Sequence, residues 1–315
     1  MKNSDARPNR GCFEATVLTN TIVRRCYRRL NLRLDARGSA FFRDVKPGQF
    51  AELDLSSLGL PPTGAIDKPL RDAAAKKILL RRPFSFSDVH LAGDSPPAVC
   101  VEILYCVLGP STLRMTTLKP DDVVSVIGPL GNGFSVPRGK RLAVLIAGGM
   151  GSPPLQHLAE YLRSNYPDMR VIVFAGAKTL DDFPFIVNVL DGGRCVPDEF
   201  ARLGDEAYVA TDDGSAGAKG LVTDCADAWL AQHAVQAEDA IVYACGPEPM
   251  LAAVASLAEK HGLDCQVSME RMMACGIGVC QSCAVETRAA AGETEYRLCC
   301  KDGPVFNAKD VCFRK

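Results

Sequence analysis

The chain has 315 residues, enough for two or three domains that each bury a core. Hydrophobic residues make up 47% and charged residues 23%, and the formal net charge is −1, so nothing in the charge favours binding to nucleic acid or to an anionic membrane. The polar start, MKNSDARPNR, has no apolar core of a secretory signal, and the longest apolar run, LAVLIAGGM from Leu142, is too short to cross a bilayer. We therefore expect a cytoplasmic protein that binds neither nucleic acid nor membrane.

Short alternating or apolar runs fill the first part of the chain, which we place at residues 1–137. They include FEATVLTNTIVRR, YRRLNLRLD, VCVEILYCVL and DDVVSVIGPL, separated by turn residues such as KPGQ and KPDD. Such spacing predicts a small antiparallel β-barrel. The stretch from Ser56 to Lys77 interrupts this pattern and is predicted to be an insertion on the surface.

Buried strands alternate with helices in the second part, residues 138–262. The stretch RLAVLIAGGMGSPPLQHLAEYLRSNYP predicts a strand, a glycine-rich turn and an amphipathic helix, and MRVIVFAGA, AYVATDDG and DAIVYACG predict further strands. This alternation predicts a doubly wound α/β domain. The first turn, with Gly148, Gly149 and Gly151, offers amide donors and a helix N-terminus to a diphosphate, although it lacks the G-x-G-x-x-G fingerprint.

The third part, residues 263–315, carries a set of closely spaced cysteines. Cys275, Cys280 and Cys283 have the spacing C-x4-C-x2-C, which is the plant-type spacing for a [2Fe–2S] cluster. A late pair, Cys299 and Cys300, supplies candidates for a fourth ligand. A structural zinc site is the alternative, but such sites usually have two C-x2-C pairs and this stretch has one.

The cluster segment is short for a complete ferredoxin domain of this spacing, because only 40 residues follow Cys275. Gly276 and Gly278 let the backbone curl around the inorganic core with their amides directed at the sulfur atoms. We expect the cluster to rest on the preceding domain or on another protein.

The stretch RRPFSFSD, from Arg81 to Asp88, contains arginines, and an arginine can fork onto a pyrophosphate. It resembles the Arg-Pro-x-Ser flavin signature of the ferredoxin reductase superfamily. The following LYCVLGPSTLRMTTLKPDD resembles that superfamily's strand, its G-x-G-T-x-x-L turn and its L-x-x-G-D bend. Here Ser111 and Asp121 replace the second and third glycines, and Met115 replaces the turn's leucine.

In the same superfamily, a C-G-P sequence after a later strand borders the nicotinamide. Cys245, Gly246 and Pro247 match it, and the resemblance implies a catalytic role for Cys245. The stretch GAKTLDDF, from Gly176 to Phe183, has one lysine and no arginine pair for a 2′-phosphate. This favours NAD over NADP.

Together with GPLGNGF, GGMGSPPL, CGPEPML, MACGIGVCQSCAVE and CKDGPVF, these motifs resemble the electron transfer subunit of class 1B dihydroorotate dehydrogenase. The resemblance covers roughly residues 12–312 and implies FAD, a [2Fe–2S] cluster and NAD as cofactors. It implies that the cluster ligands are Cys275, Cys280, Cys283 and, rather than Cys299, Cys300. It implies flavin contacts at Arg82, Pro83, Phe84, Ser85, Leu104, Tyr105, Cys106, Ser111 and Thr112.

The three cofactors form a relay, because a nicotinamide exchanges a hydride, a cluster exchanges single electrons and a flavin can do both. The resemblance implies a partner, a separate FMN-containing subunit that oxidises dihydroorotate to orotate in pyrimidine biosynthesis, in a heterotetramer of two catalytic and two electron transfer subunits. One alternative is a reductase subunit of the same architecture that serves a hydrogenase or another flavoenzyme. An alternative of a different class is a zinc-containing, nucleotide-binding regulator.

Overall fold

The computed structural model describes residues 10–93, 97–190, 194–202, 206–233, 235–289 and 292–313. Residues 1–9, from which we predicted that no secretory signal is present, lie outside these ranges. Within them, every helix is too short or too polar to span a membrane. The cytoplasmic location stays a prediction.

The first part of the chain forms an antiparallel sheet, as predicted. Its strands are β1 (Gly11–Arg24), β2 (Tyr27–Leu34), β3 (Phe50–Leu53), β4 (Arg82–Ser85), β5 (Asp88–Ala92), β6 (Ala98–Cys106) and β7 (Val123–Leu130). They pair in the order β4-β3-β7-β1-β2-β6-β5. The edge strands β4 and β5 follow one another in the chain, so the sheet curls on itself into a half-barrel around a core that includes Leu32, Phe86 and Tyr105.

Three short helices accompany this sheet: α1 (Ala36–Phe42), α2 (Arg71–Ala74) and α3 (Pro110–Met115). The sequence analysis missed α1, which the Asp35 carboxylate caps by accepting a hydrogen bond from the Gly38 amide at 2.5 Å. Helix α1 contributes Phe42 to the barrel core. Helix α2 belongs to the predicted insertion, and most residues from 56 to 77 are exposed, as expected.

The second part is an α/β domain, as predicted. Its strands are β8 (Leu142–Gly148), β9 (Arg170–Ala177), β10 (Val187–Val189), β11 (Cys195–Pro197), β12 (Glu206–Thr211), β13 (Ala218–Lys219), β14 (Ala240–Cys245) and β15 (Asp264–Ser268). Its helices are α4 (Ser152–Asn165), α5 (Asp198–Arg202), α6 (Val222–Gln232) and α7 (Glu248–Lys260). The small hairpin of β10 and β11 lies outside the main sheet.

The strand order of the main sheet reverses at its centre. With a last strand, β18 (Val305–Asn307), the order is β13-β12-β9-β8-β14-β15-β18, and all neighbours are parallel except β15 and β18. The chain moves one way from β8 and the other way from β14. In doubly wound sheets, ligands bind at the carboxyl ends of the strands where the order switches. Here those ends are Gly148 and Cys245.

The third part contacts both preceding parts, whereas the sequence predicted support from the preceding domain or from another protein. Strands β16 (Ala284–Arg288) and β17 (Thr294–Leu298) form a hairpin, and β18 extends the sheet of the α/β domain. The Asn132 amide donates to the Gly303 carbonyl oxygen at 2.6 Å, and the Asn132 side chain donates to the carbonyl oxygens of Lys301 and Asp302. The GPLGNGF and CKDGPVF motifs are therefore in contact. The division at residues 137 and 262 stays a prediction, since β15 lies in the sheet of the preceding part.

Candidate functional site

A cavity of about 520 Å³ lies where the barrel meets the switch point of the α/β sheet. We call it the flavin cavity. From the barrel side it is lined by the predicted residues Pro83, Phe84, Ser85, Leu104, Tyr105, Cys106 and Thr112. From the α/β side it is lined by the predicted residues Gly148, Gly149, Gly151, Cys245, Gly246 and Pro247. Its volume is in the range of small-molecule and cofactor sites.

Three predicted flavin contacts lie outside the flavin cavity or already form hydrogen bonds within the chain. Arg82 lines an adjoining cavity of about 670 Å³, and its Nη1 atom donates to the carbonyl oxygens of Leu80 and Arg81. Ser111 lies outside the lining of the flavin cavity, and its buried hydroxyl has no hydrogen-bond partner among the described residues. The Thr112 hydroxyl accepts hydrogen bonds from the amides of Leu108 and Gly109, so it caps α3.

The bend that resembles L-x-x-G-D keeps its backbone conformation despite the loss of glycine. Asp121 has a φ of 72°, in the left-handed region that glycine normally occupies. Aspartate visits this region more readily than most residues. The replacement is therefore compatible with the bend.

The glycine-rich turn has two packed positions and one open position. A Cβ atom on Gly151 would lie 2.1 Å from the Cys245 carbonyl oxygen, and one on Gly148 would lie 2.5 Å from Met250 Sδ. A Cβ atom on Gly149 would meet nothing within 4 Å, on a backbone with a φ of 51°. Two glycines thus let the turn pack tightly against the end of β14 and the start of α7, and the third leaves the backbone bare on the open side.

Cys245 ends β14 and lines the flavin cavity. Burial raises the pKa of its thiol to about 12, and a hydrogen bond with Ser268 opposes this rise more weakly. The group is therefore a neutral thiol near pH 7. It can donate a hydrogen bond to a ligand but supplies no thiolate.

The sequence analysis missed the segment that follows β15. Met269, Glu270, Arg271 and Met273 all line the flavin cavity, and Arg271 forms an ion pair with Glu248 at 3.0 Å. These residues directly follow a strand of the parallel sheet. Because ligands bind beyond the carboxyl ends of such strands, this position could have predicted them.

The loop from Cys275 to Cys283, called here the cluster loop, is folded around its own sulfur atoms. The amides of Val279 and Cys280 each donate to Cys275 Sγ at 3.4 Å. Gly276 and Gly278 have φ values of 64° and 86°, which allow this tight winding. Hydrogen bonds to sulfur are a feature of iron–sulfur ligands, so the predicted cysteines fit such a cluster.

The two candidates for the fourth ligand have different hydrogen-bond partners. The Cys300 amide donates to Cys283 Sγ at 3.5 Å, and the pKa of the Cys300 thiol is raised by burial and by the neighbouring Cys283. The Cys299 thiol instead donates to the Met269 carbonyl oxygen at 3.2 Å, inside the hydrophobic core. This arrangement favours Cys300 as the ligand.

Within the described ranges, no three side chains of His, Cys, Asp or Glu converge on a single metal-sized point. A binuclear cluster distributes its four cysteine ligands over two irons, so it does not require such a convergence.

A buried carboxyl group lies behind the cluster loop. Glu52 of β3 is 1% exposed, and neither of its carboxyl oxygens has a hydrogen-bond partner among the described residues. A Cβ atom on Gly276 would lie 2.4 Å from Glu52 Oε1, so the carboxyl group packs directly against the loop. Burial raises the pKa of Glu52 to about 7, although Arg82 and Arg81 lower it in part. The sequence analysis missed Glu52, whose signal is a charge within the otherwise apolar strand FAEL.

Family models match two parts of the chain. The iron–sulfur cluster binding domain of dihydroorotate dehydrogenase B matches residues 270–312, and the oxidoreductase NAD-binding domain matches residues 145–256. The first match covers the cluster loop and the second covers the glycine-rich turn together with the end of β14. The match is to an iron–sulfur domain, so the alternative of a structural zinc site is wrong.

Curated relatives match over most of their length. The electron transfer subunit of dihydroorotate dehydrogenase B (NAD⁺) from Caldanaerobacter subterraneus is 36% identical, over 75% of this chain and 83% of its own. A probable subunit of the same name from Methanopyrus kandleri is 40% identical, over 78% of this chain and 83% of its own.

Solved structures share the fold. A chain of an NADH-dependent reduced ferredoxin–NADP oxidoreductase, studied for flavin-based electron bifurcation, aligns with a TM-score of 0.68 at 23% identity, over 95% of this chain and 90% of its own. The ferredoxin reductase of carbazole 1,9a-dioxygenase aligns with a TM-score of 0.57 at 19% identity, over 81% of this chain and 67% of its own. At these identities the likeness shows the fold, a curled antiparallel sheet followed by an α/β domain.

Proposed function

This chain belongs to the family of electron transfer subunits of NAD⁺-type dihydroorotate dehydrogenase B, and we propose that it passes electrons from the FMN of a catalytic subunit through a [2Fe–2S] cluster and FAD to NAD⁺. The chain is an oxidoreductase subunit with FAD, [2Fe–2S] and NAD as cofactors, and its reaction belongs to pyrimidine biosynthesis. Because the chain belongs to this family, we prefer this function to the two alternatives, a zinc-containing regulator and a reductase subunit for an unrelated partner.

The observation that carries the proposal is a wall shared by the flavin cavity and the adjoining cavity, which lies next to the cluster loop. Pro83 and four residues after β15 line both the flavin cavity and the adjoining cavity of about 670 Å³: Met269, Glu270, Arg271 and Met273. The same adjoining cavity is lined by Ala274 and Ser282, the direct neighbours of Cys275 and Cys283. A flavin and a cluster held at these positions would lie next to each other.

FAD, when bound, exchanges a hydride with a nicotinamide and single electrons with an iron–sulfur cluster. We assign the chain's own residues as follows. Arg82 offers its guanidinium to the FAD diphosphate, and β4 presents Ser85 and its backbone to the flavin ring. The bare backbone at Gly149 and the start of α4 receive the nicotinamide diphosphate. Cys245, as a neutral thiol, orients the nicotinamide by donating a hydrogen bond. The cluster is held by Cys275, Cys280, Cys283 and Cys300.

Exposed apolar side chains lie in the cluster loop, just before it in the chain, and next to Leu80 of the adjoining cavity, and they support a partner there. Met272 is 90% exposed, Val279 is 73% exposed and Leu79 is 83% exposed. Apolar side chains of this size on one surface are typical of a protein interface. We propose that the FMN-containing catalytic subunit covers them, in a heterotetramer of two catalytic and two electron transfer subunits. Light scattering of the purified complex measures that mass, and a mass that matches one copy of each chain would contradict the proposed stoichiometry.

The test of function is a coupled assay. The chain alone, with its cofactors, is expected to oxidise NADH with an artificial acceptor and to leave dihydroorotate untouched. Addition of the catalytic subunit is expected to create dihydroorotate-dependent reduction of NAD⁺, followed by absorbance. Cys300→Ala is expected to abolish this coupling, with Cys299→Ala as the matched control. Full coupling in the Cys300→Ala complex would show that the cluster does not connect the two flavins.

A further inference from the structure

Two thiols outside the cluster loop lie next to each other at the edge of the flavin cavity. The Cys106 thiol donates a hydrogen bond to Cys26 Sγ over 3.3 Å. A disulfide has a sulfur–sulfur distance of about 2.05 Å, so roughly a further 1.2 Å of approach would join them. Side-chain rotation alone provides movements of this size.

The backbone holds the two cysteines in place. Cys106 is the last residue of β6, is 8% exposed and lines the flavin cavity. Cys26 is half-buried in the two-residue turn between β1 and β2. The ladder pairs Tyr27 with Cys106, and the Val107 amide donates to the Cys26 carbonyl oxygen at 2.8 Å. Both residues therefore belong to one hydrogen-bonded corner of the barrel, and joining them needs no movement of a domain.

We propose that Cys26 and Cys106 form a reversible dithiol–disulfide pair, a covalent modification site in the wall of the flavin cavity. The oxidant class is a low-molecular-weight disulfide, such as oxidised glutathione. The Cys26 thiolate attacks one sulfur of the oxidant, which forms a mixed disulfide and releases one thiol. Cys106 then attacks Cys26 Sγ and gives up its proton, which forms the Cys26–Cys106 bond and releases the second thiol. Two protein thiols are oxidised and one disulfide is reduced to two thiols.

The order of attack follows from exposure. Cys26 is the more accessible thiol, whereas burial and the adjacent Cys26 raise the pKa of Cys106. The thiolate is the attacking form, so the first step belongs to Cys26. Once Cys26 carries the mixed disulfide, the neighbouring Cys106 resolves it within the same corner of the barrel.

The same turn connects the barrel to the α/β domain. Arg24 Nη2 forms an ion pair with Asp181 Oδ1 at 3.0 Å, and the Tyr27 hydroxyl donates to the Asp182 carbonyl oxygen at 2.9 Å. The disulfide would tie this contact covalently to β6, the strand that supplies Leu104 and Tyr105 to the flavin cavity. The modification site therefore lies between the flavin wall and the domain contact.

The experiment maps the bond in the holoprotein with FAD and cluster bound. The protein is incubated without oxygen with oxidised glutathione, its remaining thiols are blocked with N-ethylmaleimide, and it is digested with chymotrypsin without reduction. Cleavage after Tyr105 separates Cys100 from Cys106. The expected product is a linked pair of peptides that contains Cys26 and Cys106, is lighter by two hydrogen atoms than its parts, and disappears on reduction with dithiothreitol.

Serine variants make the test specific. Cys26→Ser and Cys106→Ser are each expected to lose the linked peptide completely, while Cys12→Ser, which changes an exposed thiol on β1, is expected to keep it. Glutathione that remains on Cys26 without the linked peptide would overturn the proposal, and so would Cys106 recovered only as the maleimide adduct. The wild-type peptide map decides the matter even where a serine variant folds poorly. The readout is the bond itself, so it is independent of electron transfer to a partner.

Discussion

The cluster loop and the flavin cavity lie side by side, but their residues come together in opposite ways. In the cluster loop, three of the four proposed ligands come from nine consecutive residues, and amides within the loop donate to the first sulfur. The walls of the flavin cavity come from β4, β6, the glycine-rich turn, the end of β14 and the segment after β15. The loop is organised by its local backbone, whereas the cavity exists only where two domains pack together.

This difference has a consequence for mutation. A change in the cluster loop should remove one cofactor and leave the rest of the fold in place. A change at a domain contact should act on stability and on the cavity together. Variants of both kinds test whether these two effects are separate.

The largest effect is expected from the fourth cluster ligand. Cys300→Ala should lose the visible absorption and the electron paramagnetic resonance signal of the reduced [2Fe–2S] cluster completely, because the Cys300 backbone and thiol face Cys283. Cys299→Ala should keep both signals, because the Cys299 thiol is bound to the Met269 carbonyl oxygen. The opposite result would move the ligand by one residue.

Acid should weaken the domain contact through His157 of α4. This side chain is buried beside Asp88 and His90 of the barrel, and burial lowers its pKa from 6.5 to about 4, against a weaker opposing effect of Asp88. Between these two values the unfolded chain binds a proton that the folded chain excludes. His157 should therefore cost no stability above about pH 6.5. The free energy of unfolding should fall by about 3 kcal/mol as the pH drops from there to about 4.

Urea unfolding at several pH values measures this loss, with His157→Gln as the comparison. Burial raises the pKa of Glu102 and of Glu199 in the same cleft, so these carboxyl groups act in the opposite direction in both proteins. The difference between the two proteins isolates the histidine. Parallel pH profiles for wild type and His157→Gln would show that His157 does not couple acid to the domain contact.

The contact between the barrel and the cluster segment should be sensitive to a single methyl group. Gly131 has a φ of 72°, and a Cβ atom there would lie 2.6 Å from Pro304 Cδ and 2.7 Å from the Gly303 carbonyl oxygen. Gly139 has a similar φ of 84° but open space around it. Gly139→Ala should cost about 1 kcal/mol for the left-handed backbone. Gly131→Ala should cost about 2 to 3 kcal/mol, because the steric clash adds to that strain.

Chemical unfolding of the Gly131→Ala and Gly139→Ala proteins, each with its cofactors bound, measures the two losses in the free energy of unfolding. Cluster absorbance followed in the same titration reports whether the cluster segment separates first. Equal destabilisation by the two alanines would mean that the contact between GPLGNGF and CKDGPVF contributes nothing beyond backbone strain.

The smallest effect is expected at the flavin. Arg82→Ala should weaken FAD binding about tenfold, or about 1.4 kcal/mol, through loss of a charged hydrogen-bond donor to the diphosphate. Arg81→Ala is the matched control, since Arg81 is engaged with Ser125 through two hydrogen bonds of 2.9 Å. Fluorescence titration of the flavin-free protein with FAD measures both affinities. A larger loss of FAD affinity in Arg81→Ala would show that Arg81, and not Arg82, contacts the diphosphate.

Features that depend on residues close together in the chain could be predicted from the sequence alone. The C-x4-C-x2-C spacing predicted an iron–sulfur site, because ligand spacing within one loop controls which sulfur atoms can share a cluster. The short alternating runs predicted a small antiparallel barrel, which the structure shows as a half-barrel, and the alternation of strands and helices predicted the α/β domain. Both predictions were possible because hydrophobic periodicity reports the local backbone. Resemblance to a family then supplied the lining residues of the flavin cavity that lie on β4 and β6, together with Thr112 and the Cys245–Pro247 turn.

Only the tertiary structure decided which distant segments meet. It placed Glu52 behind the cluster loop, Arg271 in the wall of the flavin cavity and Cys26 against Cys106. It also showed that β18 joins the sheet of the preceding domain and that Asn132 contacts Gly303. These contacts join residues far apart in the chain, and they depend on packing between strands and domains, which no local pattern of residue types encodes.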